Sequence, residues 1–145
     1  MIEFANKFVA EQNTPDMKAA VMRYKMRNVS DRMLSFTVET YFFAGGAHGL
    51  TFLEGFTYDL QTGKRYSFID LYAFDESARE SINQQIREQI KGKQIPIFEP
   101  YAGVGDLPSF FINQQGQPVI FFQQYEIGPY VIGIQKFAVR AENKK

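Results

Sequence analysis

The sequence predicts an α+β domain in which an antiparallel sheet of about five to seven strands packs against one main helix, with a short N-terminal helix before the sheet. Three observations carry this prediction. Several segments alternate apolar and polar residues, one segment spaces its apolar residues four apart, and glycine-containing turns separate these segments. At 145 residues the chain is expected to form a single domain over 1–145.

The first half of the chain should contain the short helix and three strands. Residues 1–16 begin with apolar residues at helical spacing and end at a Thr-Pro-Asp break, which predicts the short helix. Alternation with a period of two then predicts three strands, at 18–28, 33–43 and 50–60. We expect the first two to pair as an antiparallel hairpin.

The second half contains the clearest helix, over residues 75–91. Ile82, Ile86 and Ile90 lie on one stripe of this helix, which should pack on the sheet. Asp75 or Ser77 can cap its first turn. The segments after it are predicted to be one long loop and three further strands, at 92–108, 109–113, 119–122 and 136–139.

The composition narrows the classes of function. Lys and Arg together number 16, as do Asp and Glu, so the net charge is zero, which argues against nucleic acid as the partner. The chain has no cysteine and one histidine, and we expect neither a metal site nor a cofactor. No stretch could span a bilayer and the first residues do not resemble a signal peptide, so we expect a cytosolic protein or a fragment of an exported one.

Two segments that combine aromatic rings with glycines, 41–49 and 124–130, are the most informative part of the sequence. Glycine reaches backbone angles that other residues avoid, so these segments should form tight turns beside large rings. We expect the turns to meet on one side of the sheet, where tyrosines suit protein or glycan recognition. The alternative is that the tyrosines pack inward. The candidate binding residues are Tyr41, Gly45, Gly46, His48, Tyr125, Glu126, Pro129 and Tyr130.

His48 is the one candidate for acid–base chemistry. In a hydrolase it would act with a nearby carboxylate such as Glu54, Asp59 or Glu126. The simpler interpretation is that its ring bonds to the backbone and holds the turn. The sequence contains neither a G-x-S-x-G nor an H-E-x-x-H motif, so no catalytic residue is assigned and a noncatalytic domain is the favoured expectation.

Basic residues occupy alternate positions of the first predicted strand, at Arg23, Lys25 and Arg27. They should share one face of the sheet. We interpret them as a solvated face or as the charges that protect an edge strand. Tyr24, on the opposite face, is expected to point into the core.

The motifs of this chain resemble those of the bacterial DUF3298 domain family, which occurs in RsiV-like anti-sigma factors and PdaC-like polysaccharide deacetylases. The aromatic–glycine segment 41–49 is followed by Phe-Thr-Tyr-Asp-Leu-Gln-Thr-Gly-Lys at 56–64 and by Ser-Phe-Ile-Asp-Leu-Tyr at 67–72. The similar motifs continue, in the same order, at 110–112 and 119–133. The resemblance covers about residues 18–140.

The resemblance implies an extracytoplasmic domain of a cell-envelope protein, at the cell surface, secreted or periplasmic. It implies a noncatalytic binding or sensing module whose ligand is a protein, such as lysozyme, or a cell-wall glycan. The alternative is an accessory domain or weak hydrolase acting on cell-wall polysaccharide, with His48 as acid or base.

Overall fold

The computed structural model describes residues 18–145, and the helix predicted over 1–16 lies outside this range. The described residues form six strands, two helices and a 3₁₀ turn at Tyr130–Ile132. In chain order the elements are β1 (Ala19–Val29), β2 (Met33–Phe43), β3 (Leu50–Asp59), α1 (Phe68–Leu71), α2 (Glu76–Gly92), β4 (Phe110–Ile112), β5 (Pro118–Phe122) and β6 (Gln135–Ala138). Neither helix of the described part is long and apolar enough to cross a membrane.

The strands form two antiparallel sheets of three strands each, ordered β1-β2-β3 and β4-β5-β6. The α+β class and the single main helix are therefore confirmed, whereas a single sheet of about five to seven strands is wrong. The sheets do not join because β4 meets a face of the first sheet and not an edge: the Ile112 N–H donates to the side chain of Ser35, in the central strand β2, at 2.8 Å. Gly55 of β3 lies so close to the Phe110 carbonyl that a Cβ would overlap it.

The second sheet forms the middle layer of the molecule. One of its faces packs against α2, whose Ile82, Ile86 and Ile90 are buried. Its other face meets the first sheet in a smaller cluster made of Leu53, Phe111, Val119 and Phe121. All five residues of β5 are buried, as expected for a strand that is covered on both sides. Each buried isoleucine stabilises this arrangement by roughly 1.5–3 kcal/mol.

Helix α2 confirms the predicted helix and its isoleucine stripe. Its N-cap is Asp75, whose carboxylate accepts a hydrogen bond from the Ala78 N–H at 2.8 Å. Ser77 therefore lies inside the first turn and does not cap it. The short helix α1 was not among the predicted elements, and Ser67 with Asp70 closes a capping box at its start.

The side chain of Tyr24 in β1 is 69% exposed, so the expectation that it points into the core is wrong. Met26, two residues later, is 46% exposed. Both belong to β1, which among the described strands has a neighbour, β2, on one side only. Alternation reveals the two faces of a strand, but it does not reveal whether the strand is central or at an edge.

Candidate functional site

The two aromatic–glycine segments meet, as predicted, through a histidine–tyrosine stack. The rings of His48 and Tyr130 lie with their centroids 3.7 Å apart and their planes 16° from parallel. The Tyr130 hydroxyl donates a hydrogen bond to the Gly49 carbonyl at 3.2 Å. We refer to His48, Tyr125 and Tyr130 as the aromatic platform.

Tyr125 is the outermost ring of the aromatic platform, with 48% of the residue exposed. Its ring centroid lies 5.7 Å from that of Tyr130, and its hydroxyl lies 3.4 Å from His48 Nε2. The backbone of Tyr125 has a φ of 65°, in the left-handed region that costs about 1–2 kcal/mol for a residue with a Cβ. The turn that imposes this angle is closed by Glu126, whose carboxylate accepts from the Gln123 N–H at 2.6 Å.

Glycines shape the first segment, before β3. Gly45 and Gly46 have φ values of 109° and 100°, which residues with side chains rarely adopt. Gly49 is required for a different reason, because a Cβ there would overlap the ring of Tyr41. Tyr41 is half-buried beneath the bend, so its position fits a supporting side chain better than a contact residue.

Two glutamines that the sequence analysis missed hold the second segment against β3. The Gln123 amide pairs with Leu53, accepting from its N–H at 3.0 Å and donating to its carbonyl at 2.6 Å. The Gln124 amide accepts from the Thr51 N–H at 2.8 Å. These contacts fix the position of the platform. The one feature of the sequence that could have indicated this role is that both glutamines directly follow the buried apolar strand β5.

The second segment is also supported from behind by the long loop that follows α2. The Phe98 N–H donates to the Ile127 carbonyl at 2.8 Å, and Gly128 is buried so tightly that a Cβ would overlap Ile132. Pro129 precedes the 3₁₀ turn, which carries Val131 with 83% of its surface exposed. An apolar side chain thus projects into solvent next to the platform.

The partners of His48 do not include a carboxylate. Its Nδ1 lies 3.1 Å from the Gly49 carbonyl and its Nε2 faces the Tyr125 hydroxyl. No described carboxylate forms an ion pair or hydrogen bond with this ring, since Glu126 bonds to the Gln123 backbone instead. The simpler interpretation made from the sequence, a ring that holds its turn, agrees with these contacts.

The other two carboxylates considered for acid–base chemistry have different environments. Hydrogen bonds from the Thr62 N–H, from the Tyr66 hydroxyl and from the Gln61 N–H lower the pKa of Asp59 to about 2. Burial raises the pKa of Glu54, and the nearby Arg65 opposes this shift. Asp59 is therefore an ionised turn residue.

Two other kinds of site, a metal site and a ligand cleft, bear on what the described residues could bind. No group of three or more His, Asp or Glu side chains between residues 18 and 145 could hold a metal ion. A cleft of about 540 Å³ lies where β3 approaches β4, with Glu54, Arg65, Ser109 and Gln123 among its lining residues. The platform residues do not line this cleft. Because the platform lies outside the cleft and Tyr125 is exposed, it can offer ring faces and hydrogen-bonding groups to a ligand on an open surface.

The fold and the paired bends define an α+β domain with two antiparallel sheets and an exposed aromatic surface. The family model for a protein of unknown function, DUF3298, matches residues 70–142, just over half of the chain. The chain belongs to the DUF3298 family, which confirms the resemblance seen in the sequence. No curated protein matches the chain.

The solved structures that share the fold include two DUF3298 family proteins. A DUF3298 family protein from Pseudomonas aeruginosa PAO1 matches with a TM-score of 0.71 and 16% identity, over 93% of this chain and 63% of its own length. A member of the DUF3298 family from Bacteroides fragilis NCTC 9343 matches with a TM-score of 0.63 and 17% identity, over 95% of this chain and 57% of its own. The chain thus spans less than two thirds of either relative.

Proposed function

We propose that this chain is a noncatalytic binding or sensing module of an extracytoplasmic cell-envelope protein, and that the aromatic platform contacts its ligand. The observation that carries the proposal is the junction of the two bends at the His48–Tyr130 stack, with Tyr125 exposed beside it. The resemblance to domains of RsiV-like anti-sigma factors and PdaC-like deacetylases supports the envelope setting.

The geometry favours a protein ligand over a glycan. Tyr125 is exposed, as is Val131, which directly follows the platform residue Tyr130. An exposed aromatic anchor typically fills a pocket of a partner protein. The rings of Tyr125 and Tyr130 are tilted by 39°, so they do not form one flat face for a sugar ring. Lysozyme is the first protein to test because the resemblance points to it.

The rigidity of the platform supports the same proposal. Glycines, Pro129 and the glutamine contacts hold the bends in place, so few rotatable groups need to be ordered when a ligand binds. Binding loses less free energy to ordering when the surface is pre-organised. The left-handed backbone of Tyr125 is a strained position of the kind that clusters at functional sites.

Titration calorimetry with hen lysozyme and with soluble peptidoglycan fragments tests the proposal. We expect lysozyme to bind, and Tyr125→Ala to weaken binding at least about tenfold, since truncating an anchor residue typically removes more than about 1.4 kcal/mol. Tyr24→Ala is the matched control because it removes an exposed tyrosine from another surface. Binding of peptidoglycan alone would favour the glycan ligand, and binding of neither would contradict the proposal.

A further inference from the structure

Within residues 18–145, no strand pairs with the outer edge of β1, and the strand register shows which of its backbone groups point outward. In β3, Leu53 and Thr57 bond to groups outside the sheet. Along an antiparallel strand, successive residues direct their backbone hydrogen bonds to opposite sides. Because the backbone of Leu53 bonds outward, it does not bond to Glu39, the residue opposite it in β2. Glu39 therefore bonds to Arg23 in β1, and the backbone N–H and C=O of the next residue, Tyr24, point away from the sheet.

The other outer edges of the two sheets are capped by side chains. The Gln123 amide covers the edge of β3, and Ser35 accepts the outward N–H of Ile112 in β4. On β6, Gln89 donates to the Ala138 carbonyl at 2.8 Å. No described residue bonds to the outward backbone groups of β1, although this strand has 11 residues. A long uncapped edge is a template for another strand. The basic residues of β1 protect it against strands that carry like charges, but they do not repel an acidic strand.

The side chains of β1 alternate in a way that specifies a partner strand. Tyr24 and Met26 are exposed on one face, at 69% and 46%. Arg23 and Lys25 are exposed on the other face. Glu39 of β2, the cross-strand partner of Arg23, lies on this second face as well. Burial lowers the pKa of the nearby Lys136 of β6, as do the charges of Arg27 and Lys25, while Glu39 opposes this shift.

We propose that β1 binds an extended segment of a partner protein, in which acidic residues alternate with apolar ones, as a fourth strand of the first sheet. The acidic side chains would lie beside Arg23 and Lys25, and the apolar ones beside Tyr24 and Met26. A second copy of β1 fits less well. Antiparallel self-pairing centred on Tyr24 would place Arg23 directly opposite Lys25, and like charges in that position repel.

A synthetic peptide of eight residues that alternates Glu and Val tests this inference in fluorescence anisotropy titrations with the whole chain. Two control peptides alternate Lys and Val, or carry the same Glu and Val residues in two blocks. We expect the alternating acidic peptide to bind at least about tenfold more tightly than either control. Amide hydrogen exchange should slow at Tyr24, whose N–H would become bonded.

Charge reversal provides the second arm of the test. The double variant Arg23→Glu/Lys25→Glu should prefer the Lys–Val peptide, because the same edge would then carry acidic groups. Tyr24→Pro should lose peptide binding without losing a β1–β2 hydrogen bond, because its N–H points outward.

Equal binding of all three peptides, or tighter binding of a single-stranded oligonucleotide, would overturn the inference. Tyr125→Ala should leave peptide binding unchanged, so this test is independent of the proposed function.

Discussion

Replacing Tyr130 with phenylalanine removes the hydroxyl that joins the two bends and leaves the ring in place. The lost hydrogen bond runs from the Tyr130 hydroxyl to the Gly49 carbonyl at 3.2 Å. A typical intramolecular hydrogen bond contributes about 0.5–1.5 kcal/mol to the free energy of unfolding. The Gly49 carbonyl would keep His48 Nδ1 as a neighbour at 3.1 Å. We therefore expect a loss in the lower part of this range, about 0.5–1 kcal/mol.

Tyr125→Phe is the matched control for this prediction. Its hydroxyl is exposed and lies 3.4 Å from His48 Nε2, at the long end of hydrogen-bond distances. Its removal should change the free energy of unfolding by about 0–0.3 kcal/mol. Urea unfolding followed by circular dichroism measures both variants, and a destabilisation by Tyr130→Phe no larger than that by Tyr125→Phe would refute the reasoning.

The double variant His48→Ala/Tyr130→Phe extends the same measurement. It removes both groups that approach the Gly49 carbonyl, so the combined destabilisation should exceed the sum of the two single effects by about 0.5 kcal/mol or more. Strict additivity would contradict the reasoning that either group can satisfy the Gly49 carbonyl when the other is removed.

Three further predictions concern stability. Gly55→Ala should destabilise the fold by about 3 kcal/mol in urea unfolding, because the new Cβ would overlap the Phe110 carbonyl. Gly105→Ala is the control and should be nearly neutral, because the space around Gly105 is open. Similar effects of the two substitutions would contradict the described packing of the sheets. Asp59→Ala should lower the free energy of unfolding at neutral pH, because the lowered pKa means that the ionised carboxylate stabilises the folded state. This difference from the unaltered protein should disappear as the pH falls from the ordinary pKa near 3.8 through about 2. A difference that persists at about pH 1.5 would contradict this prediction. Tyr125→Gly should be more stable than Tyr125→Ala by about 1 kcal/mol because of the left-handed φ, and equal stability would contradict that.

The three long strands and helix α2 could be read from the sequence because each is long enough to carry a periodic signal, whereas the four residues of α1 are too few for one. The predicted strand over 33–43 has the same limits as β2, and the isoleucine stripe gave the helix α2. The separation into two sheets could not be read in this way. It depends on Gly55 meeting the Phe110 carbonyl and on a hydrogen bond to Ser35, and such contacts between distant residues leave no pattern in either strand.

The candidate site was predictable to a similar extent. The ring and glycine content of the two segments indicated turns, and the contact of His48 with Tyr130 confirms that they meet. The roles of Gln123 and Gln124 were missed, because an amide that caps a strand has no characteristic spacing in the sequence. Whether the platform binds a ligand stays a prediction.

Amide chemical-shift mapping with lysozyme tests the central claim most directly, because it locates the contact residue by residue. We expect the largest changes at His48, Tyr125 and Val131, with β1 unaffected. Lysozyme that binds while these three amides keep their shifts, or that causes no change anywhere at millimolar concentration, would contradict the assignment of the aromatic platform as the contact surface.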